Sequence, residues 1–122
     1  MLAYKNRFHG HGSLRYVYAN GDSVRTQKIV VKFTKNPHRK ESRFAVVVSK
    51  KVLKEAVGRN RIRRRVYEII RHELPRIDGV YDVVVLIFHK EIKDMPQEEL
   101  KKTLVDIFKE ADFYCNKWFF AL

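Results

Sequence analysis

Cysteine is nearly absent: of 122 residues, only Cys115 carries a thiol. One cysteine excludes an intrachain disulfide and a cysteine-based zinc site, and it suits a reducing, cytoplasmic setting. Long apolar runs are missing as well. The longest is about half of the ~18 residues that a membrane-crossing helix requires, and the N-terminus lacks a secretory signal pattern. There is no internal repeat, no Gly-rich phosphate loop, and no Ser/His/Asp or Cys/His arrangement. His9 and His11 alternate in a glycine-bearing arm without a third ligand, and His38, His72 and His89 have no obvious partners. Glu98-Glu99 fits the acidic bias of a helix first turn rather than an acid/base pair. These absences leave a binder with no visible protein catalytic centre.

Acidic residues are scarce over most of the chain. Residues 1–76 hold 20 Lys and Arg against 5 Asp and Glu, whereas residues 77–122 hold 6 against 9. The formal net charge is +12 and the pI is about 10.0. Self-repulsion of this size opposes compaction and calls for a polyanionic partner. The first two thirds therefore carry the electrostatic footprint, and the last third reads as scaffold. Apolar residues make up 45%, enough for one cored domain spanning residues 1–122.

The chain opens with an extended or mobile arm over residues 1–12. Ser13 is placed to cap a short helix carrying Leu14, Val17 and Tyr18, with Gly21 ending it. Residues 27–34 read as a strand with Ile29, Val31 and Phe33 on one face and Val30 and Lys32 on the other. A short extra strand is expected at Ser23–Thr26. A polar loop at 35–42 leads to a second strand at 43–49, apolar on both faces and therefore expected to be central in its sheet. A helix is predicted from Ala56 to Glu73, with Pro75 enforcing its end. At 100° per residue, Ile62, Val66, Ile69, Ile70 and Glu73 share one arc, and Asn60, Arg64, Tyr67, Glu68 and Arg71 oppose it. Residues 82–89 give the strongest strand signal, so the unit is βαβ and the class α/β. A last helix follows Met95-Pro96, with Leu100, Leu104, Ile107, Phe108, Ala111 and Tyr114 on one face and Trp118 continuing it if the helix persists.

The arginine-rich helix start, Arg59-Asn60-Arg61-Ile62-Arg63-Arg64-Arg65, is the leading functional candidate. Arginine is always charged, and its planar fork grips phosphate through two hydrogen bonds. Asn60 adds a donor and an acceptor suited to a base edge or a 2′-hydroxyl. Only Glu68 and Glu73 are nearby to neutralise these cations, which disfavours a merely solvated helix face. A membrane-surface role is disfavoured because the apolar stripe is spent on the core. Lys50 and Lys51, after Ser49 at a strand end, form a second basic candidate beside the blander reading of solvated lysines. Tyr16, Tyr18, Phe33 and Phe8, interleaved with Arg7, Arg15 and Lys32, suit stacking of single-stranded bases, with core packing the competing reading for Phe33 and Tyr18.

The ordered set Arg43-Phe-Ala-Val-Val-Val-Ser-Lys-Lys-Val, then Ala56-Val57-Gly58-Arg59-Asn60-Arg61 and the basic helix to Glu68, resembles the bacterial ribonuclease P protein component. Leu14 to Gly21, Tyr81-Asp82 before a Val/Ile strand, and the Leu-rich last helix agree, so the resemblance covers roughly residues 7 to 114. It implies a two-layer α/β (α+β) sandwich: about four strands, three main helices and a left-handed βαβ crossover, against the usual handedness. It also implies a protein accessory to a catalytic RNA that removes the 5′ leader of precursor tRNA using Mg²⁺. Arg59, Asn60, Arg61, Arg64 and Arg65 would contact that RNA. Leu14, Tyr18 and Lys32 would line a leader cleft, with Lys50 and Lys51 near it. The family places metal ions near these basic elements, but no ligand residue is identifiable from the sequence. Two departures stand out. Leu53-Lys54-Glu55 replaces a shorter, glycine-bearing linker, and Leu14 replaces an aromatic. The competing readings are a stand-alone RNA- or ribosome-binding module and a major-groove DNA binder. The latter needs a two-helix turn motif that a strand–helix–strand unit does not supply.

Overall fold

A computed structural model describes residues 4–8, 12–36 and 39–114. His9, His11, His38, Cys115 and Trp118 lie outside the described residues. In chain order the elements are α1 (Gly12–Asn20), β1 (Asp22–Arg25), β2 (Ile29–Lys35), β3 (Arg43–Val48), α2 (Ala56–Glu73), β4 (Tyr81–Ile87) and α3 (Gln97–Glu110), with single 3-10 turns at Tyr4–Asn6, Leu74–Arg76 and Lys90–Lys93. Three helices and a four-stranded mixed sheet form an α+β sandwich. The strand order is β1-β2-β4-β3. β4 runs antiparallel to β2 and parallel to β3, so α2 is the crossover of a βαβ unit.

The strand register divides the sheet into two faces. Phe44, Val46 and Val48 of β3 lie beside Val83, Val85 and Ile87 of β4, which pair with Phe33, Val31 and Ile29 of β2. All of these belong to or pack on the main core with the buried stripes of α2 and α3. The other face carries Ala45 and Val47, Val84 and Leu86, and Val30 and Lys32. Here α1 lies over β2 and β4, and buried Val17, Val30 and Val84 stand apart from the main core. Gly21 permits the tight exit from α1. Its N–H donates to the Val17 carbonyl at 2.8 Å, and a Cβ would sit 2.5 Å from that oxygen and 3.1 Å from the Phe33 carbonyl.

The helical stripes follow from 3.6-residue spacing. α2 buries Gly58, Ile62, Val66, Ile69, Ile70 and Glu73, and α3 buries Leu100, Leu104, Ile107 and Phe108. Each fully buried Ile or Leu contributes about 1.5–3 kcal/mol. Glu73 is tolerated on this arc because its Oε1 accepts from the Tyr114 hydroxyl at 2.8 Å, with Arg76 at 3.7 Å. Burial, then Glu73, holds the Tyr114 phenol well above its ordinary ionisation range.

Several expectations are corrected. β3 is an edge strand, not a central one. Phe44, Val46 and Val48 face α2 and α3, Ala45 and Val47 are half-buried on the opposite face, and a chain segment lies along the outer edge. That segment is residues 4–8 of the expected mobile arm: Arg7 bridges to Phe44, and the Asn6 side chain donates to the Ser42 carbonyl at 2.9 Å. Tyr67 does not join the solvent side of α2, because its hydroxyl accepts from the Val46 N–H at 3.1 Å, a donor on the unpaired edge of β3. Ser13 is not the cap of α1, which begins at Gly12. The end of α2 at Glu73, ahead of Pro75, is as expected, and Pro75 sits inside the 3-10 turn that follows. Phe88 and His89 fall beyond β4. Tyr114 lies past the end of α3 and meets Ile77 through a β-bridge.

A buried ion pair fixes the start of the parallel pairing. Arg43 donates through Nε to Asp82 Oδ1 at 2.9 Å and through Nη2 to Oδ2 at 2.7 Å, and Asn36 donates to the same Oδ2 at 2.8 Å. Both side chains are almost wholly buried, at 4% and 6% exposure. The Phe8 ring lies 4.8 Å from the Arg43 guanidinium.

Asp82→Asn should cost about 3–5 kcal/mol in denaturant unfolding, because it strands the buried guanidinium without its counter-charge. The double change Arg43→Met/Asp82→Leu should cost less than either single change; equal or additive losses would argue against the pair. Tyr114→Phe should cost about 1–3 kcal/mol by leaving Glu73 short of a donor. A raised phenol pKa makes its stabilisation complete below about pH 10 and lost as pH rises through the folded-state value. Tyr114→Phe should therefore flatten the alkaline fall in stability, read from melts above pH 9.

Candidate nucleic-acid interface

The arginines of α2 divide by what they touch. Arg59 is half-buried and folds back, donating from Nη1 to the carbonyls of Leu53 at 2.9 Å and Lys54 at 2.6 Å. It thereby fastens the departing linker, whose Leu53 side chain lies over Gly58; a Cβ there would stand 2.5 Å from Leu53 Cδ2. Arg65 is half-buried too and donates to the carbonyls of Ile92 at 2.7 Å, Lys93 at 2.8 Å and Met95. Desolvation and then neighbouring Arg61 lower its pKa, with Asp94 opposing. Arg61 is exposed, with only Nε committed, to the Lys93 carbonyl at 3.0 Å. Arg63 donates to Asn60 Oδ1 at 2.6 Å, which leaves the exposed Asn60 amide as a donor. Arg64 is exposed and has no polar partner among the described residues. Arg71 and His72 both turn to Glu68, at 2.5 and 3.3 Å.

The outward ridge is therefore Asn60, Arg61 and Arg64, and Arg59 and Arg65 are the ties beneath it. The ridge stands at a helix start with no acidic residue in its first turn and no side-chain cap. Free N–H groups and the macrodipole add positive potential there. This division of roles escapes sequence reasoning, since a helical wheel gives direction but not partners.

The second surface is the sheet face beneath α1. Tyr18 is 41% exposed, and the Lys32 ammonium lies 5.6 Å from its ring centroid. Leu14 is half-buried on the same side of α1, four residues earlier. Half-buried Ala45, Val47 and Leu86 continue this face beyond α1. Phe88 extends the ladder through an N–H to the Lys28 carbonyl at 2.8 Å and is 55% exposed. Its position in the alternation puts it with Val84 and Leu86. Sequence reasoning missed Val47, Leu86 and Phe88, although strand alternation with Lys32 was available as the signal. Lys50 and Lys51 are exposed in the turn after β3, closed by Val52 N–H to Ser49 O at 3.1 Å. The structure joins Tyr18 to Lys32 directly. Phe33 leaves the candidate set, since it packs edge-on against Phe113 at 5.0 Å and Tyr81 at 6.3 Å. Tyr16 is 60% exposed.

Among the described residues, no three His, Cys, Asp or Glu side chains gather to hold a metal ion. No helix among them is long and apolar enough to cross a membrane.

Known proteins resemble this chain over most of its length. The family model for ribonuclease P matches residues 2–112. The ribonuclease P protein component of Bacillus mycoides is 34% identical over 107 residues, 88% of this chain and 91% of that protein. Its counterpart from Synechocystis is 30% identical over 95 residues, covering 78% and 76%. The solved RNase P protein of Staphylococcus aureus superposes with a TM-score of 0.79 at 26% identity, covering 90% of this chain and 98% of that one. That of Thermotoga maritima gives 0.74 at 26% identity, covering 85% and 96%. With a basic helix start, an open sheet face and near full-length similarity together, this chain belongs to the ribonuclease P protein family.

Proposed function

We propose that the protein binds the catalytic RNA of ribonuclease P through the start of α2 and holds the 5′ leader of precursor tRNA against the sheet face under α1. The observation that carries this is the placement of Asn60, Arg61 and Arg64 as an outward ridge on a helix whose opposite side is buried. Two forks of the phosphate-gripping type are then available at a helix start, with Asn60 beside them for a sugar or base edge.

The leader reading rests on Tyr18 and Lys32. An extended single strand is bound by rings that stack bases and cations that follow its backbone. Tyr18 offers an exposed ring, and Lys32 places a cation beside it. Val47, Leu86 and Phe88 supply an apolar floor for further bases. α2 packs on one face of the sheet and α1 on the other, so one molecule can engage both RNAs at once. The cleavage chemistry and its Mg²⁺ belong in this reading to the RNA subunit. The protein's part is to raise substrate affinity and offset phosphate repulsion. Such a reaction belongs to the cytoplasm, where tRNA is matured.

The test is reconstitution with a bacterial ribonuclease P RNA and precursor tRNA at low Mg²⁺. The protein should increase 5′ maturation over RNA alone, and no gain would sink the proposal. Arg64→Ala should leave thermal stability unchanged. It should reduce the slope of log K against log salt for the catalytic RNA by about 0.7–0.9, the value of one phosphate contact. Tyr18→Ala should weaken binding of leader-bearing precursor by about 1–3 kcal/mol, one stacked base, and leave mature tRNA unaffected. Equal losses for both would remove Tyr18 from the leader path.

A further inference from the structure

The last third of the chain is net acidic, yet it sends one element to the cationic ridge. The 3-10 turn Lys90–Lys93 follows β4 and packs on α2. Arg65 holds it by donating to the carbonyls of Ile92 and Lys93, at 2.7 and 2.8 Å, and to that of Met95 just beyond. Arg61 adds a bond from Nε to the Lys93 carbonyl at 3.0 Å. The Lys93 stem lies across the first turn of α2, with its Cδ 3.5 Å from where a Cβ on Gly58 would stand.

The acids of this segment are already occupied. Glu91 takes the Lys28 ammonium at 2.7 Å, and that bond lowers the Glu91 pKa. Asp94 lies close enough to Arg65 to favour its charged form. Lys90 and Lys93 make no hydrogen bond or ion pair among the described residues, although Glu91 feels the charge of its neighbour Lys90. The turn therefore presents two ammonium groups that no direct contact ties down, with Lys93 lying against the start of α2.

We propose that Lys90 and Lys93 contact the phosphate backbone of the same RNA that α2 binds, and that Arg65 is the positioning residue holding them there. The proposal rests on the reading of α2 as the RNA-binding helix. It gives Arg65 a role that its geometry fits: its fork is spent on backbone carbonyls and acts on the RNA through the turn it holds. A lysine at that position would keep the charge but lose the planar fork.

The test is titration of the full chain with a bacterial ribonuclease P RNA over a range of salt. Lys90→Ala/Lys93→Ala should lower the salt slope by about 1.4–1.8, two contacts' worth. Lys102→Ala/Lys109→Ala removes the same charge from exposed positions on α3 and should leave the slope unchanged. Arg65→Lys should reproduce much of the loss, and adding the Lys90/Lys93 changes to it should then have little further effect. If Arg65→Lys unfolds the chain, as circular dichroism would report, the lysine pair decides alone. A slope unchanged in Lys90→Ala/Lys93→Ala, or altered equally by the α3 pair, overturns the proposal. Arg64→Ala separates the two readings. If it shifts the slope and the lysine pair does not, only the turn is excluded. If neither shifts it, the reading of α2 fails as well.

Discussion

The packing of one narrow apolar stripe, Gly58-Ile62-Val66-Ile69-Ile70, onto the sheet is the constraint on which this structure depends. α2 carries a concentration of like charge that favours expansion. Non-directional burial of four large side chains, each contributing about 1.5–3 kcal/mol, outweighs that repulsion only if the stripe meets a fully apolar surface. The face formed by β3, β4 and β2 supplies it. With the stripe fixed, every arginine on α2 must lie at its edges or point outward, so the basic surface is a consequence of the core.

Directional contacts then define what burial alone would leave loose. The Arg43–Asp82 fork ties the starts of β3 and β4, whose connection along the chain runs through a linker, the 18-residue α2 and a 3-10 turn. A parallel pair cannot be set by a tight hairpin, so such a tie at one end helps fix its register. Tyr67 caps an edge donor of β3, and residues 4–8 lie along the start of that edge. An exposed edge would invite pairing with another chain, and these contacts cover part of it. Glu73 and Tyr114 fasten the end of α2 to the segment after α3.

The same economy runs through the arginines. Two of the five in Arg59–Arg65 serve the fold, by satisfying carbonyls of the β3–α2 connection and of the segment after β4. These connections would otherwise leave acceptors poorly satisfied near the protein surface. Their use keeps the ridge residues at fixed height, and a preorganised ridge loses less entropy on meeting a polyanion. The two sides of the sheet are thus differently built. One is closed by α2 and α3 into the main core. The other is only partly covered by α1, which leaves apolar strand positions and a tyrosine ring in reach of solvent.

Much of this was legible from the chain alone. The bounds of α2 at Ala56 and Glu73, its buried stripe, the stripe of α3, the separation of Ile29 and Val31 from Val30 and Lys32, and the charge asymmetry all follow from local periodicity and composition. The ordered residues from Ser49 to Arg65 also carried the resemblance that the comparisons bore out. Periodicity tells which face of an element is apolar, because it depends on neighbours three, four or two residues apart. It says nothing about which element meets that face. Only the tertiary structure decided that β3 lies at the edge, that Tyr67 turns to the sheet, and that Phe33 is core while Tyr18 is surface. It alone sorted Arg59 and Arg65 from Arg61 and Arg64. Most of those outcomes depend on pairs distant in sequence, such as Tyr67 with Val46, Arg65 with Ile92 and Phe33 with Phe113, and no local pattern encodes them.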